Sequence, residues 1–100
     1  MDGLSYERCK KSVMTIEQYL AQVLGLVERV RALLSEAEYS EVMHLINHDE
    51  PAEGLRALAW IIHEEQKTVT PDVVSSIIFL IDDMVPLSDL PPDFKNYSAR

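Results

Sequence analysis

The chain has 100 residues and a formal net charge of −8, from 17 acidic and 9 basic residues. A chain of this length has room for one domain with one hydrophobic core. The 47% hydrophobic and 26% charged residues are a globular balance, and three glycines are too few for a turn-rich sandwich or barrel. The acidic balance argues against direct binding of nucleic acid, which needs a basic surface. We therefore expect a small helical domain.

Features of the sequence that bear on location point to the cytoplasm. The longest apolar run, Val73 to Ile81, is about half of the roughly 18 to 20 residues that a membrane span needs. Asp2, Glu7 and Arg8 place charges within the first eight positions, where a signal peptide would be apolar. Cys9 is the only cysteine, so an internal disulfide is excluded. We expect a cytoplasmic protein without membrane contact.

The N-terminal third of the sequence carries a long amphipathic repeat, in which apolar residues recur every three or four positions. Its members are Tyr6, Cys9, Val13, Ile16, Leu20, Val23, Val27, Val30 and Leu34. This stripe predicts one helix over residues 5–34, about 45 Å long at about 1.5 Å per residue. Gly25 lies off the stripe, so two shorter helices are the alternative.

Start signals divide the rest of the chain into three further helices. Ser35 followed by Glu38 is a capping box, which predicts a helix over residues 36–47. Proline is favoured at the first position of a helix, where the backbone amide makes no hydrogen bond within the helix. Pro51 and Pro71 therefore predict helices over 51–66 and 71–84. The three apolar stripes consist of Tyr39, Val42, Met43 and Ile46, then Leu55, Leu58 and Ile62, then Val74, Ile77, Ile78, Ile81 and Met84.

Prolines exclude another long helix after residue 84, so we predict a tail over residues 85–100. The residues expected to dock it on the helices are Leu87, Leu90, Phe94 and Tyr97. Short links make neighbouring helices antiparallel. The predicted fold class is an all-α bundle of about four helices, with one long N-terminal helix and a docked tail.

Negative charge is concentrated in the middle of the chain. Residues 1–34 carry a net charge of +1, residues 35–94 carry −11, and the last six carry +2. Acids in the first turn of a helix complement the helix dipole, but several acids here follow helix ends. We interpret them as a partner-binding surface, with solubility as the alternative. One cluster comprises Glu36, Glu38, Glu41, Asp49, Glu50 and Glu53, and the other comprises Glu64, Glu65, Asp82 and Asp83.

Trp60 lies off the apolar stripe of the third predicted helix. On a helical wheel it points away from Leu55, Leu58 and Ile62. One reading is that it packs against the long helix or the tail. The other is that it anchors a partner within the acidic surface, because tryptophan is enriched at binding hot spots.

Catalytic and metal-binding patterns are incomplete. His44 and His48 share a helix face, but Leu45 stands where a zinc protease needs its general-base glutamate. Histidines at a helix end, interacting with the dipole, are the simpler reading. His63 adjoins Glu64 and Glu65, but no nucleophile or oxyanion site accompanies it. We expect no enzyme activity, no bound metal and no cofactor.

The second half of the chain resembles the small immunity proteins of bacterial toxin systems, including the Maf-type and contact-dependent growth inhibition systems. The matching residues are Leu45-Ile46, Asp49-Glu50-Pro51, Gly54-Leu55, Leu58-Ala59, Ile61-Ile62, Glu64-Glu65, Thr70-Pro71, Ile77 and Leu80. They form a helix, an acidic turn and a helix, over about half of the chain. Gly54 stands where that pattern would have alanine.

The resemblance implies a bacterial cytoplasmic protein that binds the C-terminal domain of a cognate toxin and occludes its active site. Several such toxins are RNases, including EndoU-like enzymes, with basic clefts. The two acidic clusters would then meet lysine and arginine side chains, while Tyr39 and Trp60 would serve as apolar anchors.

Two other functions compete with this expectation. A regulatory or adaptor module would self-associate through the first helix, with residues 13–34 as a dimer seam. A small metal-dependent enzyme would require bound metal in the purified protein.

Overall fold

A computed structural model describes residues 14–99, and this part of the chain forms four α-helices and no strand. The helices are α1 (Ile16–Val30), α2 (Glu36–Asn47), α3 (Pro51–Glu64) and α4 (Pro71–Ile81). Three 3₁₀ turns follow α1 or lie in the tail, at Arg31–Leu33, Leu87–Asp89 and Phe94–Asn96. The all-α bundle expected from the sequence is confirmed.

The single helix predicted over residues 5–34 is wrong, because Thr15 is not helical and α1 begins at Ile16. Thr15 is extended, and its hydroxyl accepts the amide of Gln18 at 3.0 Å. The Gln18 side chain in turn accepts the amide of Thr15 at 2.9 Å, which completes a capping box. Residues 5–13 of that prediction lie outside the described part of the chain. Ile16, assigned to the core stripe, is 85% exposed.

Beyond that start, α1 runs unbroken through Gly25 and ends at Val30, four residues before the predicted end. The apolar stripe is correct from Leu20 to Val30, since Val23, Val27 and Val30 are buried. These residues pack in the chain's own core. A dimer seam through them would have to compete with that core.

Helices α2 and α3 begin as predicted, and α3 ends earlier than expected. Both halves of the capping box of Ser35 and Glu38 form. Asp49 adopts a left-handed conformation in the turn after α2, a conformation that aspartate tolerates better than most residues. Gln66 is also left-handed, so the chain leaves α3 after Glu64 rather than at residue 66.

Helix α3 lies at the centre of the bundle and packs against α2, α4 and α1. The largest fully buried side chains are Leu55, Leu58, Ile62, Ile77, Ile81, Val23, Val27 and Val42. Helices α1 and α4 are antiparallel. The hydroxyl of Tyr19, near the start of α1, donates to the Leu80 carbonyl at 2.7 Å, whereas Arg29 near its end pairs with Asp72.

The tail docks on the helices, but through a partly different set of residues from the predicted one. Val85, Leu90 and Phe94 are buried. Leu87 is 66% exposed, and Met84, predicted as the last core residue of a longer α4, is 54% exposed because α4 ends at Ile81. Those two predictions are wrong.

Tyr97 ties the end of the tail to the bundle. Its hydroxyl lies 3.0 Å from the carbonyl of Ile62 and 2.7 Å from that of Lys67. None of the helices described between residues 14 and 99 is both long and apolar enough to span a membrane.

Replacing Tyr97 with phenylalanine is expected to lower the free energy of unfolding by about 1–2 kcal/mol at pH 7, because the carbonyls lose their donor. Burial raises the pKa of Tyr97 in the folded protein. Its stabilising effect is therefore complete below the unfolded value of about 10 and is lost as the pH rises through the higher folded value.

Urea unfolding of wild type and Tyr97→Phe at several pH values checks this prediction. The difference between the two proteins should shrink above about pH 10. Tyr39→Phe is the control at pH 7, since it loses only an exposed hydrogen bond to Glu28. An equal loss in both variants at pH 7 would contradict the proposed role of Tyr97.

Candidate functional site

An open groove of about 420 Å³ lies between the first half of α2 and the last half of α3. The two helices are antiparallel, which places the start of α2 beside the end of α3. The groove is lined by apolar or aromatic side chains and by four carboxylates and one guanidinium. These residues are Ala57, Trp60, Ile61, Glu38, Glu41, Glu64, Glu65 and Arg56. We call it the Trp60 groove.

Glu38 is the carboxylate of the groove that the fold itself uses. It accepts the amide of Ser35 at 2.8 Å, and Lys67 from the α3–α4 loop lies 3.0 Å from the same oxygen. The Glu38 side chain is only 19% exposed. The Ser35 amide, followed by Lys67, holds the pKa of Glu38 below its usual value.

The other three groove carboxylates are much less engaged by the bundle. Glu41 and Glu65 are exposed and form no ion pair with any residue between 14 and 99. Glu64 lies 4.0 Å from Nδ1 of His63, which is beyond hydrogen-bond distance. Glu41 and Glu65 therefore carry negative charge that no residue between 14 and 99 pairs with.

Arg56 is the one basic residue among positions 14–99 that lines the groove, and its side chain pairs along α3. Its Nε donates to Glu53 at 2.9 Å, one helical turn towards the start of α3. Trp60 lies one turn in the other direction. The Arg56–Glu53 pair therefore neutralises Glu53, one of the predicted interface residues, while Arg56 still lines the groove.

Trp60 combines the two interpretations that the sequence left open, since it contacts the tail and also lines a groove where a partner could bind. Its indole N–H donates to the Asp89 carbonyl of the tail at 2.7 Å. The side chain is only partly buried and also lines the groove. The tail thus fixes one edge of the ring, while the ring contributes to the groove wall.

The structure groups the predicted interface residues differently from the sequence. Glu38 and Glu41 of the first cluster join Glu64 and Glu65 of the second around Trp60. The rest of the first cluster lies away from the groove lining, with Glu36 in the first turn of α2 and Asp49, Glu50 and Glu53 at the α2–α3 turn.

Asp82 and Asp83 are separated from Glu64 and Glu65. They follow the C-terminal end of α4, beside the start of α1, where Tyr19 bonds to Leu80. Glu64 and Glu65 lead into the opposite end of α4, roughly 16 Å away for a helix of this length. The second predicted cluster is therefore two sites rather than one.

Tyr39 faces α1 rather than the Trp60 groove. Its hydroxyl donates to Glu28 at 3.2 Å, and the guanidinium of Arg31 lies 4.2 Å from its ring centroid. Both contacts come from the end of α1 and the turn after it. They occupy the polar edge and one face of the ring.

The histidine pair on α2 makes contacts within its own helix. The rings of His44 and His48 lie 4.1 Å apart, and Nδ1 of His48 donates to the His44 carbonyl at 2.6 Å. Over residues 14–99 no three histidine, cysteine or acidic side chains come close enough to hold a metal ion.

Replacing Glu38 with glutamine should lower the free energy of unfolding by about 0.5–1 kcal/mol at pH 7. Glutamine can still cap, as Gln18 does in α1, but it cannot pair with Lys67. Because folding lowers the pKa of Glu38, its contribution is present above about pH 4.3 and is lost as the pH falls through the lower folded value.

Thermal unfolding of Glu38→Gln between pH 7 and pH 3 tests this, with Glu41→Gln as the control for charge alone. Wild type and Glu38→Gln should converge at low pH. Equal losses in both variants at pH 7 would mean that the bond to Lys67 contributes nothing specific.

Sequence reasoning missed Lys67 and Arg56, which neutralise Glu38 and Glu53. The three-residue spacing of Glu53 and Arg56 is a local signal that was available. The pairing of Lys67 with Glu38 depends on how α2 packs against α3.

No protein-family model matches the chain, and no curated protein and no solved structure matches it.

Proposed function

We propose that the protein is an immunity protein that binds a bacterial toxin domain, an RNase with a basic cleft, and occludes its active site. The observation that carries the proposal is the Trp60 groove, where Glu41, Glu64 and Glu65 lie around a partly exposed tryptophan. Charge and an aromatic anchor on one face are the features of a hot spot surrounded by steering charges.

The mechanism is occlusion in a one-to-one complex. An RNase cleft presents lysine and arginine side chains to RNA phosphates, and carboxylates of the groove would pair with the same cations. The surface over residues 35–94, with its charge of −11, would speed the encounter with a positive cleft. Bound protein would then exclude RNA by volume and by charge.

The resemblance to toxin-immunity proteins adds the cellular setting to this proposal. It rests on the residues around the α2–α3 turn, which the fold uses as helix ends and core positions. The charge and the groove support an acidic partner-binding surface independently of that resemblance.

A growth assay tests the proposal. The toxin domain is taken from the reading frame beside the gene for this chain and is expressed with wild type or with variants. Wild type should restore growth, whereas Glu41→Lys combined with Glu65→Lys should lose protection. Asp49→Lys combined with Glu50→Lys reverses the same number of charges at the α2–α3 turn, leaves the Glu53–Arg56 pair in place and should keep most of it.

Thermal melts of both double variants show whether they remain folded. Loss of protection only with the α2–α3 turn variant would place the contact at that turn and reject the groove. A neighbouring frame without a toxin domain, or wild type that fails to protect, would reject the immunity function.

A further inference from the structure

We propose that the Trp60 groove receives an arginine side chain of the partner, with its guanidinium stacked on the indole and paired with Glu41 and Glu65. This inference rests on the proposed function for the identity of the partner. The recognition chemistry itself follows from the walls of the groove.

The groove has an apolar wall as well as an acidic rim. Ala57, Trp60 and Ile61 lie on one surface of α3 and line it with the carboxylates of both helices. Its volume of about 420 Å³ is within the range of about 300–1,000 Å³ that is usual for small-ligand pockets, so the open groove has room for one side chain. A suitable occupant combines positive charge with a flat face of low hydration.

The charges around the groove leave it open to a cation. Lys67 is held by Glu38, and Arg56 is held by Glu53 one turn away from Trp60. Glu41 and Glu65 form no ion pair within residues 14–99, and they approach the groove from different helices. Because both carboxylates line the same groove, we expect one planar cation to bind both.

The tail sets the orientation of the indole. Its N–H is already engaged by the Asp89 carbonyl, and the His63 ring packs against the indole at 6.0 Å in a T-shaped arrangement, so a ligand in the groove meets the π surface of the indole rather than its N–H. A guanidinium stacks on an aromatic face and bonds carboxylates in two directions, whereas an ammonium is compact and strongly hydrated. The groove therefore fits arginine better than lysine.

Peptides of six arginines and of six lysines test this preference on the isolated chain. Trp60 is the only tryptophan, so its fluorescence reports directly on the groove. We expect both peptides to bind at low salt, with a dissociation constant roughly three- to tenfold lower for hexa-arginine.

Two matched variants separate the groove from overall charge. Glu41→Gln with Glu65→Gln should weaken hexa-arginine binding roughly tenfold, as expected for a loss of about 1.4 kcal/mol. Glu17→Gln with Glu50→Gln removes the same charge elsewhere and should have a much smaller effect. Equal binding of the two peptides, equal effects of the two variants, or an unchanged Trp60 signal would overturn the inference.

The outcome is distinguishable from that of the growth assay. Growth protection that depends on Glu41 and Glu65, with equal binding of the two peptides, would keep the proposed function and reject arginine as the occupant. Arginine preference without growth protection would keep the groove chemistry and reject the immunity function.

Discussion

Replacing Leu58 with alanine is expected to lower the free energy of unfolding by about 2–5 kcal/mol. Leu58 is 0% exposed and lies on α3, the helix that packs against the three others. Deleting its side chain removes buried apolar surface and leaves a cavity that the surrounding helices can only partly fill. In a domain of this size, each kcal/mol corresponds to about 4–8 °C in Tm.

Leu87→Ala is the matched control, because the same atoms are removed from a side chain that is 66% exposed. Its effect should stay within about 0.5 kcal/mol. Urea unfolding followed by circular dichroism measures both variants. If the two substitutions lower the free energy of unfolding by the same amount, α3 is not the centre of the core.

The two glycines within helices are expected to respond to alanine with opposite signs. A Cβ on Gly54 would lie 2.8 Å from Cγ1 of Ile46 and 3.1 Å from the carbonyl oxygen of Val42. Neither atom is the free end of a flexible chain, so α2 would have to move from α3. The strain of about 1–3 kcal/mol should exceed the gain of about 1 kcal/mol in helix propensity.

Gly25 supplies the comparison, since a Cβ there would meet nothing within 4 Å. Gly25→Ala should therefore stabilise the protein by about 0.5–1 kcal/mol. In an Ile46→Ala background the contact with Cγ1 is removed while that with the Val42 carbonyl oxygen remains, so Gly54→Ala should destabilise the protein less than it does in wild type. Destabilisation of the same size in both backgrounds would exclude the clash with Ile46.

Local signals predicted where helices begin, because a cap needs only a few neighbouring residues. Ser35, Pro51 and Pro71 marked the starts of α2, α3 and α4 correctly. Thr15 and Gln18 carry the same signal, and the regular apolar stripe obscured it. The Thr15 hydroxyl accepts the amide of Gln18 and so starts α1 there, although the apolar stripe runs past this point in the sequence.

Helix ends and tail contacts were less predictable, because they depend on packing. Gln66 turns left-handed after α3, a position that the sequence alone does not specify. In the tail, Val85 is buried, whereas Leu87, which we expected to be buried, is exposed. Both residues are apolar, so only the path of the chain after α4 decides which one meets the core.

The acidic surface could be predicted in composition and only partly in arrangement. Counting charges located the negative residues, and the helical wheel placed Trp60 off the core stripe. The antiparallel packing of α2 and α3 joined Glu41 to Glu65 across the sequence clusters. The same packing placed Lys67 against Glu38. Counting charges alone had treated Glu38 as available for a partner.

The indole N–H signal of Trp60 shows whether the Trp60 groove lies at the interface of the complex. The chain is labelled with ¹⁵N and titrated with the unlabelled toxin domain, so that only this tryptophan is observed. We expect the signal to shift until a one-to-one ratio is reached, and we expect Glu41→Lys with Glu65→Lys to abolish the shift. A tight complex that leaves the Trp60 signal in place would contradict this expectation.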